Sequence, residues 1–208
     1  MIEQRTPEWH ALRLGKATAS RISDIVAKTK TGASTSRANY AAELIAERLT
    51  GQPAANYVNG AMQWGIDQEA AARALYADRC GLLVQEVAFI DHPEIQWSGA
   101  SPDGLVDDGL VEIKCPNTAT HLDTLLGAPI SGIYRTQLAW QLACTGRAWV
   151  DFVSYDPRLP PSMQLHVRRV HRDVSQILEL EAEVARFLDE VADRVDQLRA
   201  LYGEDRAA

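Results

Sequence analysis

The stretch SPDGLVDDGLVEIKCP, residues 101–116, decides how this chain is read. Two short runs, 105–107 and 110–114, flank Asp108-Gly109, a dipeptide favoured in two-residue hairpin turns. Side chains alternate along a strand, so Glu112 and Lys114 point one way while Val111, Ile113 and Cys115 point the other. The apolar set is expected to face the core. Glu112 and Lys114 then lie about 6.7 Å apart along the strand, from its ~3.3 Å rise per residue. Asp103, at the mouth of the preceding strand, can converge on Glu112 across the hairpin. Charged groups are rarely threaded through an apolar strand unless something uses them. Two carboxylates and a carbonyl oxygen make a hard-oxygen set suited to Mg²⁺ or Mn²⁺. A lysine beside them can orient a water and stabilise charge growing on a phosphate. The plain alternative is an exposed cross-strand charge ladder with Asp103 capping a turn, and the spacing alone does not decide between the two.

Outward from the hairpin, periodicity and breakers give the other elements. ATASRISDIVAKT (17–29) reads as a short helix with Thr18 or Ser20 near its start, and 36–50 as a second helix ended by Gly51. Residues 50–60 read as loop, 61–79 as a third helix stopped at Gly81, and 82–90 as a strand. After the hairpin come a helix over 131–146 and strands at 148–155 and 163–170. A long amphipathic helix over 173–201 carries Ile177, Leu180, Val184, Leu188, Val191, Val195 and Leu198 on one stripe. This order predicts a single α/β (α+β) domain over 1–208 with a mixed central sheet flanked by helices.

Composition excludes several classes. The chain has 208 residues, 46% hydrophobic and 24% charged, an ordinary globular mix. There is no apolar run long enough to span a membrane and no signal-peptide core near the start, so the expectation is a cytoplasmic protein. Cys80, Cys115 and Cys144 are scattered, with no CxxC pair, which argues against a zinc site or a disulfide framework. The net charge of −7 does not advertise a nucleic-acid binder, but its distribution is uneven. Residues 1–50 carry eight Lys/Arg against five Asp/Glu, whereas 173–208 carry four Arg against ten acids. A basic surface is therefore possible near the N-terminal half, with the acidic tail helix facing away from a polyanion or lining a subunit contact.

Asp103…Glu112-Ile113-Lys114 resembles the PD-(D/E)xK nuclease motif, and Pro102-Asp103 matches it literally. WHALRLGKATAS (9–20), WGIDQEA (64–70), SPDGL, EIKCP, YRTQLAWQ (134–141) and YDPR (155–158) follow in one order. Together they resemble the lambda-exonuclease-type, YqaJ-like viral recombinase family over nearly the whole chain. The resemblance implies a restriction-endonuclease-like core. It also implies a Mg²⁺-dependent (Mn²⁺ possible) 5′→3′ exonuclease acting on linear double-stranded DNA ends with two metals per active site. Mononucleotides and a 3′ single-stranded overhang would be the products, and a single-strand annealing protein would load on that overhang for phage-type recombination. A homotrimeric ring in the bacterial host cytoplasm is implied as well.

Carried over by the same resemblance, Asp103, Glu112 and the carbonyl of Ile113 would bind metal, and Lys114 would position the attacking water. Glu69 would complete the second metal environment, and Gln137 matches the glutamine on the helix behind the site. Arg13, Thr18, Ser20 and Ser101 match positions that hold the DNA 5′-phosphate. A helix start near Ser20 favours an anion, and Arg13 can add bidentate contacts. The family has an arginine after CPxTS in the phosphate pocket; here Thr120 stands there, beside His121.

Each assignment has a structural counterpart. Glu69 can pair with Arg73 at i+4. Gln141 shares a helix face with Gln137 and reads as structural or solvent-facing. Trp9, Trp64, Trp140 and Trp149 read as core, and His10, His92, His166 and His171 show no ligand spacing. Two other functions suit the same core: an endonuclease, which would cut closed circles, and a non-catalytic DNA-binding or recombination scaffold, which would tolerate loss of Lys114.

Overall fold

The computed structural model describes residues 2–29, 32–54 and 59–203. Residues 55–58 of the expected 50–60 loop, Lys30 and the tail residues 204–208 lie outside the described residues. The elements in chain order are α1 (Pro7–Arg13), β1 (Ala17–Thr18), α2 (Ile22–Val26), β2 (Lys28–Thr29), β3 (Gly32–Ala33), α3 (Thr35–Thr50) and α4 (Gly60–Cys80). Next come β4 (Ile90–Asp91), β5 (Ser98–Ala100), β6 (Gly104–Val106), β7 (Gly109–Lys114), α5 (Thr118–Leu125) and α6 (Gly132–Thr145). The last three are β8 (Trp149–Tyr155), β9 (Leu165–His171) and α7 (Val174–Tyr202).

Local chemistry sets the helix ends. Ser34, Asn59, Asn117, Ser131 and Asp173 cap α3, α4, α5, α6 and α7 by accepting a bond from a first-turn backbone N–H. Gly51, Gly81 and Gly146 end α3, α4 and α6 in the left-handed conformation that glycine adopts without a Cβ clash. Among the described residues, no helix is long and apolar enough to cross a membrane.

The central sheet has the order β6-β7-β8-β9 and is mixed, as the sequence predicts: β7 and β8 run parallel, and the outer pairs are antiparallel. A smaller sheet, β1-β5-β4, pairs β1 parallel with β5. Both faces of the central sheet are covered. On one, Val111, Ile113, Val153 and Tyr155 pack with Ala72 and Tyr76 of α4. On the other, Leu110, Val150 and Phe152 join Leu138 and Leu142 of α6, and the same core continues to α2, α3 and α7. The stripe of α7 is buried from Ile177 to Val195, with Leu198 at its exposed end and Phe187 added to it.

Several local expectations are corrected. The hairpin turn is Asp107-Asp108, one residue earlier than expected, because Gly109 is paired with Val106 inside β7. That glycine serves a different need: a Cβ there would stand 2.2 Å from Cδ2 of Trp149. Asp107 takes the positive φ of 43° instead. Residues 82–90 do not form a strand. They make one bridge, Gln85 to Leu105, and reach sheet geometry only at Ile90. Their neighbour β6 is three residues long and offers little ladder to extend. The 17–29 segment is not one helix but β1, a 3₁₀ turn at 19–21, α2 and β2, so Thr18 lies in a strand and Ser20 in the turn. Two helices, α1 and α5, escape the periodicity argument because they span only two turns; their caps, Thr6-Pro7 and Asn117, were the available signals.

Candidate active site

The hairpin presents its charged residues at the carboxyl end of the parallel pair β7/β8, the usual place for a site in such sheets. Glu112 is buried, at 2% exposure, under α6. Its carboxylate is fully engaged. Oε1 accepts from Lys114 Nζ at 2.6 Å and from Gln137 Nε2 at 2.6 Å, and Oε2 accepts from Gln141 Nε2 at 2.5 Å. Gln137 and Gln141 are one helical turn apart, so both amides reach the same carboxylate. Gln141 is therefore not solvent-facing: it is fully buried and belongs to this cluster, and its own Oε1 has no partner among the described residues. The i,i+4 pair of glutamines on an otherwise apolar helix was the sequence signal for it.

Asp103 stands across the hairpin, as the strand geometry predicts. Its Oδ2 accepts from the backbone N–H of Ile113 at 2.6 Å. Burial, then the charges of Glu112 and Glu69, push the Asp103 carboxyl well above the usual carboxylate range despite the opposing pull of Lys114. Lys114 responds in the opposite way. Burial alone would depress its amine, but Glu112 and Asp103 outweigh that and hold it above the ordinary lysine value. Its ammonium also lies 5.1 Å from the ring centroid of Tyr134.

Glu69, on α4, faces this group from the other side of the hairpin. It makes the i+4 pair with Arg73 at 2.6 Å and also pairs with Arg5, a residue held at φ 70°. Gln4 fixes that N-terminal segment by donating to the carbonyls of Val87 and Pro102 at 2.8 and 2.9 Å. Among the described residues, no three His, Cys, Asp or Glu side chains form a ready-made metal cluster.

Arg13 at the end of α1, Thr18 in β1 and Ser101 just past β5 lie around the smaller sheet. The parallel β1 and β5 bring Thr18 beside Gly99, two residues before Ser101. Ser101 Oγ accepts from Arg13 Nη1 at 3.2 Å and from Trp9 Nε1 at 3.0 Å. Arg13 stacks on Trp9, 4.0 Å from the ring centroid, and makes no ion pair among the described residues. Burial lowers its pKa to about 10 against the pull of Tyr40 and Glu47. Thr18 is buried and donates its backbone N–H to Tyr40 Oη at 3.1 Å, while Ser20 is exposed in the 3₁₀ turn that follows. Thr120 lies exposed on α5. His121 is buried and held between Ser154 Oγ at 2.7 Å and the carbonyl of Met163 at 2.8 Å, so it packs the β8 side instead of facing the Arg13 group. His92 stacks on Trp140 and meets Glu181, again in the core. Trp140 and Trp149 are buried as expected, whereas Trp9 and Trp64 are only half-buried.

The same architecture occurs in solved structures. An alkaline exonuclease from Laribacter hongkongensis, LHK-Exo, superposes with a TM-score of 0.87 at 50% identity, over 94% of this chain and 97% of the other. Its complex with dAMP matches to the same extent. A phage-related exonuclease from Haemophilus somnus 129PT shares the fold at 16% identity, with a TM-score of 0.61 over 89% of this chain and 98% of the other. Among curated proteins, no match to the sequence is found. The sequence profile of the YqaJ-like viral recombinase domain matches residues 8–148, which include Glu69, Asp103, Glu112, Lys114, Gln137 and Gln141. With that profile covering most of the chain and the shared fold at 50% identity, the chain belongs to the YqaJ-like viral recombinase domain family.

Proposed function

We propose that the protein is a metal-dependent 5′→3′ exonuclease on linear double-stranded DNA that releases mononucleotides and leaves a 3′ single-stranded overhang. The observation that carries this reading is the contact of Glu112 with Lys114 opposite Asp103, at the carboxyl end of β7. The likeness to an alkaline exonuclease, one of whose structures holds dAMP, supports both the chemistry and the product. Family kinship supports a ring of three subunits, a single-strand annealing protein as partner, and work in the cytoplasm of a bacterial host.

The donor set suits a hard divalent cation. Asp103 and Glu112 concentrate negative charge in a desolvated space, and the raised Asp103 pKa reflects burial first and then repulsion from Glu112 and Glu69, both of which a bound cation would offset. Asp103, Glu112 and the carbonyl of Ile113 would hold Mg²⁺ or Mn²⁺. Glu69 would serve a second ion by exchanging its contacts with Arg5 and Arg73. Such ions supply an activated water and neutralise phosphate oxygens when bound. The chain's own groups do the rest. Gln137 and Gln141 hold the Glu112 carboxylate in one orientation, and Lys114 Nζ donates to the attacking water and the scissile phosphate. Arg13 is a desolvated cation with no ion pair among the described residues, the state that a 5′-phosphate would neutralise, with the hydroxyls of Thr18, Ser20 and Ser101 as further donors.

The test uses linear duplex DNA with 5′-phosphates and a distinct label on each strand, beside a closed circle, with Mg²⁺ or EDTA. Mg²⁺-dependent loss of each strand from its 5′ end, with the circle intact and Lys114→Ala inactive, is the expected result. Cutting of the circle would mean an endonuclease, and DNA binding without any cutting would mean a scaffold.

A further inference from the structure

A cavity of about 200 Å³ opens beside Lys114 on the sheet face that carries Glu112. Strand register places its floor. Glu112 pairs with Phe152 and Phe152 with Arg168, while Lys114 pairs with Ser154 and Ser154 with His166. These six side chains form two parallel rows across β7, β8 and β9, and all but the covered Glu112 line the cavity, which reaches about 10 Å from the Lys114 column at the ~4.8 Å spacing of adjacent strands. Tyr134 of α6 forms one wall, 5.6 Å from the Phe152 ring and beneath the Lys114 ammonium.

Arg168 stands at the far end. Among the described residues it makes one hydrogen bond, from Nη1 to the carbonyl of Ala128 at 2.9 Å, and no ion pair. The carboxylate in the lining, Asp123, is exposed on α5 and does not pair with it. Burial, Arg168 and His121 all lower the His166 pKa, so that ring is neutral near pH 7 and leaves the guanidinium as the cation at this end. The cavity thus offers an aromatic wall, hydroxyl donors and an unneutralised planar cation, continuous with the proposed catalytic lysine. That is the chemistry of a single-stranded nucleotide: a base to stack and a phosphate to neutralise.

We propose that this cavity is a nucleotide subsite. The strand being cut runs from Lys114 across β8 towards β9, one base lies against Tyr134 and Phe152, and Arg168 takes a phosphate next to the scissile one. This rests on the nuclease reading above.

The experiment measures binding of short duplexes in EDTA, each with one neutral methylphosphonate at one of the first four linkages of the recessed strand, to wild type, Arg168→Gln and Arg168→Lys. Arg168→Gln should bind unmodified DNA about tenfold more weakly or worse, and its salt slope should fall by about 0.7–0.9. At one linkage, neutralisation should weaken wild type by a similar factor yet cost Arg168→Gln nothing further, and Arg168→Lys should recover much of the loss. Tyr134→Ala should weaken binding at least fivefold with the salt slope unchanged, because stacking carries no charge. Arg168→Gln binding as wild type does, or losses that multiply at all four linkages, would overturn the proposal. A wild type that binds in this pattern but never cuts DNA refutes the nuclease reading and leaves the subsite standing.

Discussion

Gln141→Leu isolates the residue that orients Glu112 from behind. Leucine fills much of the volume of glutamine at this fully buried position, so packing is largely kept. Two polar terms change with opposite sign. The 2.5 Å bond to Glu112 Oε2 disappears, and a charge-assisted bond of this kind contributes about 1.5–3 kcal/mol. Gln141 Oε1, without a partner among the described residues, disappears too, and a buried unsatisfied acceptor costs about 1–3 kcal/mol. Net stability should therefore stay within about 2 kcal/mol of wild type. Function should not be spared. With Oε2 released, Glu112 is held from its Oε1 side by Lys114 and Gln137, and if Glu112 binds metal as proposed, loss of such a supporting bond costs about 10–100-fold in metal affinity or activity. The assay is thermal unfolding beside single-turnover cleavage of a linear duplex over a Mg²⁺ series. The expected outcome is a small Tm change with the Mg²⁺ midpoint raised about tenfold. A variant with the wild-type Mg²⁺ midpoint and rate would refute the role assigned to this amide.

Four further outcomes are expected. Arg13→Gln should reduce the preference for 5′-phosphorylated over 5′-hydroxyl ends by about 10–100-fold, measured as the ratio of cleavage rates on the two substrates, because it removes the unpaired cation beside Ser101. Asp103→Asn should abolish cleavage yet raise the Tm of the metal-free protein at neutral pH. A carboxyl whose folded pKa is raised contributes stability below its unfolded pKa and loses it as pH rises through the folded value, so the gain from Asn should shrink on acidification. The same raised pKa predicts that cleavage at limiting Mg²⁺ increases with pH until Asp103 is ionised. Gly109→Ala should destabilise by about 1–3 kcal/mol, read by urea unfolding, because its Cβ meets the Trp149 ring at 2.2 Å.

The hairpin was legible because a two-residue period needs no tertiary information: Glu112 and Lys114 had to share a face, and they do. Its turn lies one residue earlier than Asp108-Gly109 suggests, because the missing side chain of Gly109 answers Trp149, 40 residues away in the chain, and not a turn. Long-range packing of that kind leaves no local trace. The i,i+4 spacing of Gln137 and Gln141 marks them as a pair, but their purpose is declared only when the carboxylate facing them is known. The same holds for Glu69, where the i+4 pair with Arg73 was readable but the approach of Arg5 across the fold was not. The apolar run at 82–90 had strand composition without a partner long enough to pair with it. The long helices, by contrast, announced themselves through caps, glycine stops and sustained stripes.

The parallel pairing of β7 with β8 has a consequence for biosynthesis. Asp103, Glu112 and Lys114 emerge from the ribosome together, but the amides that hold Glu112 lie on α6, and the strand that flanks β7 comes later still. At roughly 5–20 residues per second, α6 and β8 follow the hairpin by about 2–8 seconds. Until then Glu112 has no roof and β7 no parallel neighbour, so the nascent chain carries the charged triad without its geometry. On the function proposed above, competence waits until the crossover through α5 and α6 has closed, and a polypeptide interrupted before Gln141 is expected to be inert.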